Sequence, residues 1–208
     1  MGTGPAVLVT GAAGYVGRLC VTALAKRREE LSALVALDWA ETPRSDQREG
    51  VVYKQGDICD PGLEGLFREH AIDTVVHLAS IVRAPKGAPR DLAYRVDVLG
   101  TQNVLEACEA VNAKRLIVTS SGAAYGYHPD NPEWMDEEDP LRGNDEFEYS
   151  KHKRIVEEML AKWREERPEL RQIVFRPGTI VGVDVHSPVT DLFEKPVILG
   201  IVGSDSPF

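Results

Sequence analysis

The stretch AVLVTGAAGYVG, residues 6–17, decides how this chain folds. Its first five residues form a short, nearly continuous apolar run, the pattern of a strand buried on both faces. Gly11, Gly14 and Gly17 follow at three-residue spacing, and from Tyr15 onward the apolar positions take a helical period. Glycine at these places lets the backbone turn sharply from strand to helix and approach a neighbour closely. Working outward, comparable runs recur at 33–38 (ALVALD), 51–56 (VVYKQG), 74–79 (TVVHLA), 115–120 (RLIVTS) and 172–176 (QIVFR). Helical patterns lie between them, near 15–28, 61–70, 90–112 and 147–167; Val104, Leu105, Cys108 and Val111 fall on one stripe. Strands alternating with helices predict an α/β fold, a doubly wound parallel sheet with helices on both faces.

Composition narrows the function. In 208 residues there are 24 Lys and Arg against 33 Asp and Glu, a net charge of −9, which excludes a phosphate-backbone binder; nucleic acid is not expected as a partner. At 43% hydrophobic residues, a chain of this length builds its core without disulfides or structural metal. No apolar run reaches the roughly 20 residues that span a bilayer, and the N-terminus lacks a charged leader, so no membrane association and a cytoplasmic location are expected. Cys20, Cys59 and Cys108 stand far apart with no metal-ligand spacing, which predicts buried free thiols and no metal site. Residues 133–148 hold eight acids against Arg142 alone. They read as a solvated loop whose last acids favour the positive end of the following helix, or as a lid over substrate hydroxyls. After Arg176 the pattern changes to Gly, Pro and short apolar pieces without a terminal helix, as if the architecture were cut short.

Three constellations carry chemistry. The Gly11/Gly14/Gly17 turn at the start of a helix suits a pyrophosphate, and Asp38 at the end of the second strand offers two carboxylate oxygens to ribose hydroxyls. Its charge repels a 2′-phosphate, favouring NAD over NADP; Arg18, just past the last glycine, reads as a solvated helix residue. Tyr149 and Lys153 stand four residues apart, hence on one helical face. A free Tyr, with a pKa near 10, is a poor base at neutral pH, but a nearby ammonium favours the phenolate. Such a pair can take a proton from a substrate hydroxyl, although the same spacing also occurs on plain helix surfaces. Ser120 and Ser121 close the strand RLIVTS at the end where open α/β sheets keep their ligands. His77, ending the fourth strand, has no nucleophile or metal partner in the pattern and reads as a satisfied interior histidine.

Taken in order, TGAAGYVG, Asp38, Gly56-Asp57-Ile58, HLAS at 77–80, GTQNVLEA at 100–107, SSGAAYG at 120–126, YSKHK and FRPGTIVG resemble the extended short-chain dehydrogenase/reductases of the NAD-dependent epimerase/dehydratase type. The resemblance runs from about residue 6 to the last residue. It implies a Rossmann-like domain over 1–178 and, over 179–208, the start of a substrate-binding region that is largely missing. It assigns Gly11, Gly14, Tyr15, Val16 and Gly17 to the pyrophosphate, Asp38 to the ribose, Asp57 and Ile58 to the adenine, Leu78, Ala79 and Ser80 to the segment beneath the cofactor, and Pro177 to the nicotinamide. Ser121, Tyr149 and Lys153 match the catalytic residues, Tyr149 and Lys153 also touching the cofactor. NAD, a sugar or nucleotide-sugar substrate, and pairing of two copies through the helices near 90–112 and 147–167 are implied with them.

Departures from the family pattern bear on the activity. Asp97 stands where Asn is usual, Ser80 where Ala or Gly is usual, and Thr179 where many sugar-nucleotide epimerases have Asn. Gly122-Ala123 replaces the Asp-Glu pair that dehydratases use for water elimination. The implied reaction is hydride transfer between a sugar carbon and NAD with Tyr149 as base, as an epimerase or a dehydrogenase. Two other readings stay open: a non-catalytic NAD-binding regulatory protein, and a truncated fragment that binds cofactor without turnover.

Overall fold

The computed structural model describes residues 3–183 and 185. Its strands are β1 (Ala6–Thr10), β2 (Ala33–Asp38), β3 (Val52–Gln55), β4 (Thr74–His77), β5 (Arg115–Thr119) and β6 (Arg171–Phe175). All pair in parallel, in the order β3-β2-β1-β4-β5-β6. The order reverses between β1 and β4, so a crevice opens above their C-terminal ends, where such sheets hold ligands. Successive β1 residues serve opposite faces: Ala6 and Leu8 join one core with Phe67, Leu105 and Leu160, whereas Val7 and Val9 join a second with Val21 and Leu34.

Helices cover both faces, unequally. Among the described residues, α1 (Tyr15–Ala25) packs on the smaller core, while α2 (Leu63–Glu69), α4 (Gly100–Ala110) and α5 (Glu148–Glu166) pack on the larger. The helix expected near 90–112 is three pieces: α3 (Leu92–Tyr94), a π-helical turn (Arg95–Leu99) and α4. Period alone does not reveal this, because a π turn inserts one residue without ending the helix.

Not every strand is buried on both faces. β3 and β6 are the sheet's edges among the described residues, and Ile173 and Phe175 of β6 are 54% and 57% exposed on the face opposite Val174. Of the cysteines only Cys108 is fully buried, Cys20 and Cys59 being half-buried, although all three are free thiols. Most of the region expected over 179–208 lies outside the described residues.

Two glycines fix the opening turn. Gly11 has φ +67°, and a Cβ there would stand 2.6 Å from the Ala79 nitrogen; a Cβ on Gly17 would stand 2.1 Å from the Gly11 carbonyl oxygen. Side chains at either place would force α1 away from β1 and β4.

Candidate active site

The β1–α1 turn forms a cradle at the crevice. Gly14 caps α1 (Tyr15–Ala25) without a side-chain hydrogen bond, so the first N–H groups of the helix have no side-chain partner at the positive end of its dipole. Asp38, 8% exposed, accepts the Ala13 N–H on Oδ2 and the Ala40 N–H on Oδ1, each at 2.9 Å. Each oxygen keeps acceptor capacity, so the carboxylate both ties the glycine turn to β2 and can receive ribose hydroxyls. Asp57 is exposed and accepts the Cys59 N–H at 2.9 Å, while the Ile58 side chain is buried against Gly100 and its carbonyl accepts from Asn103 Nδ2 at 2.6 Å. Ser80 keeps a buried hydroxyl with no hydrogen-bond partner beside this cradle. Glycine turn, uncapped helix and carboxylate fit a diphosphate flanked by a ribose.

His77 is structural, as its pattern predicted. It is 2% exposed, with Nδ1 2.7 Å from the Thr10 hydroxyl and Nε2 3.0 Å from that of Thr101. Burial, helped by the Lys153 charge, pushes its pKa down to about 3, so the folded chain holds it neutral. The unfolded chain takes up a proton near pH 6.5, and stability therefore falls as pH drops from about 6.5 towards 3, by up to about 1.4 kcal/mol per pH unit. Thermal melts between pH 7 and pH 4 are expected to show this slope, and His77→Gln to flatten it.

The two serines at the end of β5 part ways. Ser120, 2% exposed, donates to Glu157 at 2.5 Å and belongs to the core. Ser121 begins a 3-10 turn (Gly122–Tyr125), accepts the Ala123 N–H at 3.1 Å and lies near enough to the Tyr149 hydroxyl to favour its ionised form. Helix α5 thus brings Tyr149 to Ser121 and, one turn on, places Lys153 beneath it. The Lys153 ammonium lies 5.5 Å from the Tyr149 ring centroid and donates to the Thr119 carbonyl at 3.3 Å, with the residue 5% exposed.

Electrostatics at this pair depart from expectation. Burial pushes the Tyr149 hydroxyl above the usual phenol range, opposed by the neighbouring Ser121 side chain and reinforced by the charge of Asp97 and by Tyr127. The resting side chain is a neutral phenol, because Lys153 faces the ring and a carbonyl instead of the hydroxyl. Burial also pulls Lys153 below the usual ammonium range, against the supporting charges of Asp97 and Glu157.

Sequence reading passed over one network. The Arg176 guanidinium grips Glu157 through Nε (2.9 and 3.0 Å) and Nη2 (2.7 Å), and through Nη1 reaches the Tyr125 hydroxyl at 2.7 Å and the Glu137 carbonyl at 3.3 Å. Tyr125 in turn donates to the Asp136 carbonyl at 2.7 Å. The helical period gave one signal, since Glu157 lies one turn beyond Lys153 on the same face.

The acidic loop is pinned through its backbone, and its carboxylates serve local turns and surface pairs. Asp136 and Asp139 accept loop N–H groups, and Asp145 pairs with Lys151 and Arg154. This is the solvated-loop reading. Beside Tyr149 the rings of Phe147 and Tyr127 follow one another outward, centroids 6.1 and 6.0 Å apart, Tyr127 being 67% exposed. Pro177 is half-buried, its carbonyl accepting the Gly122 N–H at 2.9 Å. Among the described residues no cluster of His, Cys, Asp and Glu could hold a metal, and no helix is long and apolar enough to cross a membrane.

The chain is similar to several known proteins. UDP-glucose 4-epimerase of Halalkalibacterium halodurans is 28% identical over 205 residues, covering 94% of this chain and 58% of its own length. The N-acetyl-alpha-D-glucosaminyl-diphospho-ditrans,octacis-undecaprenol 4-epimerase of Escherichia coli is 34% identical over 196 residues, 91% of this chain and 53% of the relative. The crystal structure of Thermus thermophilus UDP-glucose 4-epimerase in complex with NAD superposes with a TM-score of 0.69 at 30% identity, covering 82% of this chain and 54% of that one. The chain thus spans a little over half the length of the relatives it matches. Residues 7–195 match the sequence profile of the NAD dependent epimerase/dehydratase family, and this chain belongs to that family.

Proposed function

We propose that this chain binds NAD and acts in an NAD-dependent epimerisation of a nucleotide-sugar, with Tyr149 as the base. The observation that carries the reading is the Tyr149 ring over the buried Lys153 ammonium, 5.5 Å from centroid to Nζ, with Ser121 beside it at the C-terminal end of β5. Gly11, Gly14, Tyr15, Val16 and Gly17 would hold the diphosphate of NAD and Asp38 its ribose; Asp57, Ile58, Leu78, Ala79, Ser80 and Pro177 complete the cofactor wall. When bound, NAD supplies a hydride acceptor beside the sugar carbon.

The chain's own residues handle the proton. Ser121 orients the sugar oxygen by hydrogen bonding, and Tyr149, after losing its own proton to solvent, takes the hydroxyl proton on its phenolate oxygen as the carbonyl forms. Lys153 offsets the negative charge on the phenolate. In the return step Tyr149 gives the proton back to the same oxygen after the sugar has presented its other face. Gly122 and Ala123 supply no acid-base group, so this site lacks the means for water elimination. UDP-glucose, the substrate named for relatives, is the natural first probe.

Fluorescence titration tests the cofactor half. This chain is expected to bind NADH saturably and more tightly than NADPH by about tenfold or more, since the Asp38 charge repels a 2′-phosphate. Asp38→Ala is expected to remove that preference. Equal affinity for the two cofactors in the unaltered chain would contradict the role given to Asp38.

A further inference from the structure

An aromatic wall leads outward from Tyr149, and the acid-base and cofactor roles above leave it unused. The Tyr149 ring is followed by that of Phe147, centroids 6.1 Å apart at 47°, and Phe147 by Tyr127, 6.0 Å apart at 41°. Phe147 is 44% and Tyr127 67% exposed, and neither joins the two hydrophobic cores, so core packing does not account for them. The wall is nevertheless firmly built. Asn144, 7% exposed, holds both outer rings by their backbones: its side-chain oxygen accepts the Tyr127 N–H at 2.7 Å and its carbonyl the Phe147 N–H at 3.4 Å. Its own N–H donates to the Ser150 hydroxyl at 2.9 Å. Ser150, fully buried next to Tyr149 on α5, donates in turn to the Ala123 carbonyl at 2.6 Å, within the turn that Ser121 begins. One buried amide thus fixes two exposed rings relative to Tyr149 and Ser121. An exposed apolar row anchored by buried polar groups marks a ligand surface.

We propose that Phe147 and Tyr127 are the sugar platform of this site, the surface on which the hexose ring of a nucleotide-sugar lies while Tyr149 acts on its hydroxyl. This rests on a nucleotide-sugar being the substrate. A hexose carries its hydroxyls around its edge and presents C–H groups on its faces, and the face of an aromatic ring, which is partly negative, attracts such groups. Rigid rings supply this contact with little conformational freedom to lose. Charge decides which end of the nucleotide-sugar comes here. Phe147 stands between Glu146 and Glu148, and residues 133–148 carry eight acids against Arg142 alone. Arg142 is itself taken by Asp130 at 2.8 Å. Such surroundings repel a diphosphate, so the nucleotide leaves on another side and the uncharged sugar is the occupant of the wall.

Calorimetric titration of the NADH-loaded chain with UDP-glucose and, separately, with UDP tests the proposal. UDP-glucose is expected to bind more tightly than UDP. Tyr127→Ala and Phe147→Leu are each expected to weaken UDP-glucose about fivefold while leaving UDP and NADH as they were. Tyr127→Phe keeps the ring face and is expected to bind like the unaltered chain. Equal weakening of UDP-glucose and UDP would put the nucleobase on the rings. Unchanged affinities in the variants, or no advantage of UDP-glucose over UDP in the unaltered chain, would leave the rings without a sugar. Each of these results overturns the proposal. Should Phe147→Leu not fold, Tyr127→Ala carries the test, since a ring so exposed can be truncated without opening a cavity. Failure of the unaltered chain to bind either ligand would remove the nucleotide-sugar reading itself, whereas full turnover by Tyr149→Phe would overturn the base assignment and leave the platform standing.

Discussion

If the proposed epimerisation of UDP-glucose is the activity, replacing Tyr149 by Phe is expected to lower it about a thousandfold, with NADH binding changed little. The variant keeps the ring that packs near Phe147 and over Lys153 and removes only the hydroxyl beside Ser121. A positioned general base contributes about a hundred- to ten-thousandfold, and a thousandfold corresponds to about 4 kcal/mol of barrier. Cofactor affinity is the control, because the glycine turn and Asp38 are untouched. The measurement is turnover of the unaltered chain and of the variant at equal cofactor occupancy. Undiminished turnover would remove Tyr149 from the reaction. NADH binding by the unaltered chain without turnover of UDP-glucose or other nucleotide-sugars would favour a cofactor-binding role without chemistry.

The second large effect concerns stability. Glu157→Ala is expected to destabilise the chain by about 3–5 kcal/mol, since removing one partner of a buried ion pair strands the other. For a chain of this size that is a fall of about 10 °C in melting temperature. Glu157 is 5% exposed and receives both the Arg176 guanidinium and the Ser120 hydroxyl. Its loss leaves a half-buried cation and a core hydroxyl unpaired, and it loosens the anchor that Arg176 gives to Tyr125 and the Glu137 backbone. The loss also removes one of the charges supporting Lys153. Thermal melts decide the matter, with Glu30→Ala in the exposed Arg27–Glu30 pair as the comparison, where little change is expected. Equal effects at the two sites would mean that the buried network contributes no more than a surface pair.

Much of this protein was legible in residue order. Local period fixed the strands to within a residue or two at most ends, because a short apolar run bounded by turn residues takes the extended form wherever it sits in the sheet, even at the edge strands β3 and β6. The three glycines after β1 fixed the turn into α1, since only glycine tolerates the φ of +67° at Gly11 and the close approach at Gly17. Spacing of four put Tyr149 and Lys153 on one face of α5, and the resemblance singled out Ser121.

Tertiary structure decided what period cannot encode. Ser120 and Ser121 are identical in sequence terms; the end of β5 turned one to Glu157 in the core and the other to Tyr149 in the crevice. Lys153 was expected to lower Tyr149, yet burial prevailed, because the ammonium faces the ring and the Thr119 carbonyl and desolvation acts on the hydroxyl from every side. The pairing of Glu157 with Arg176 spans α5 and the end of β6, and the π turn that buries Asp97 against His152 depends on how α4 meets α5. Each of these is set by where separate elements come together, and the pattern within any single element carries no record of it.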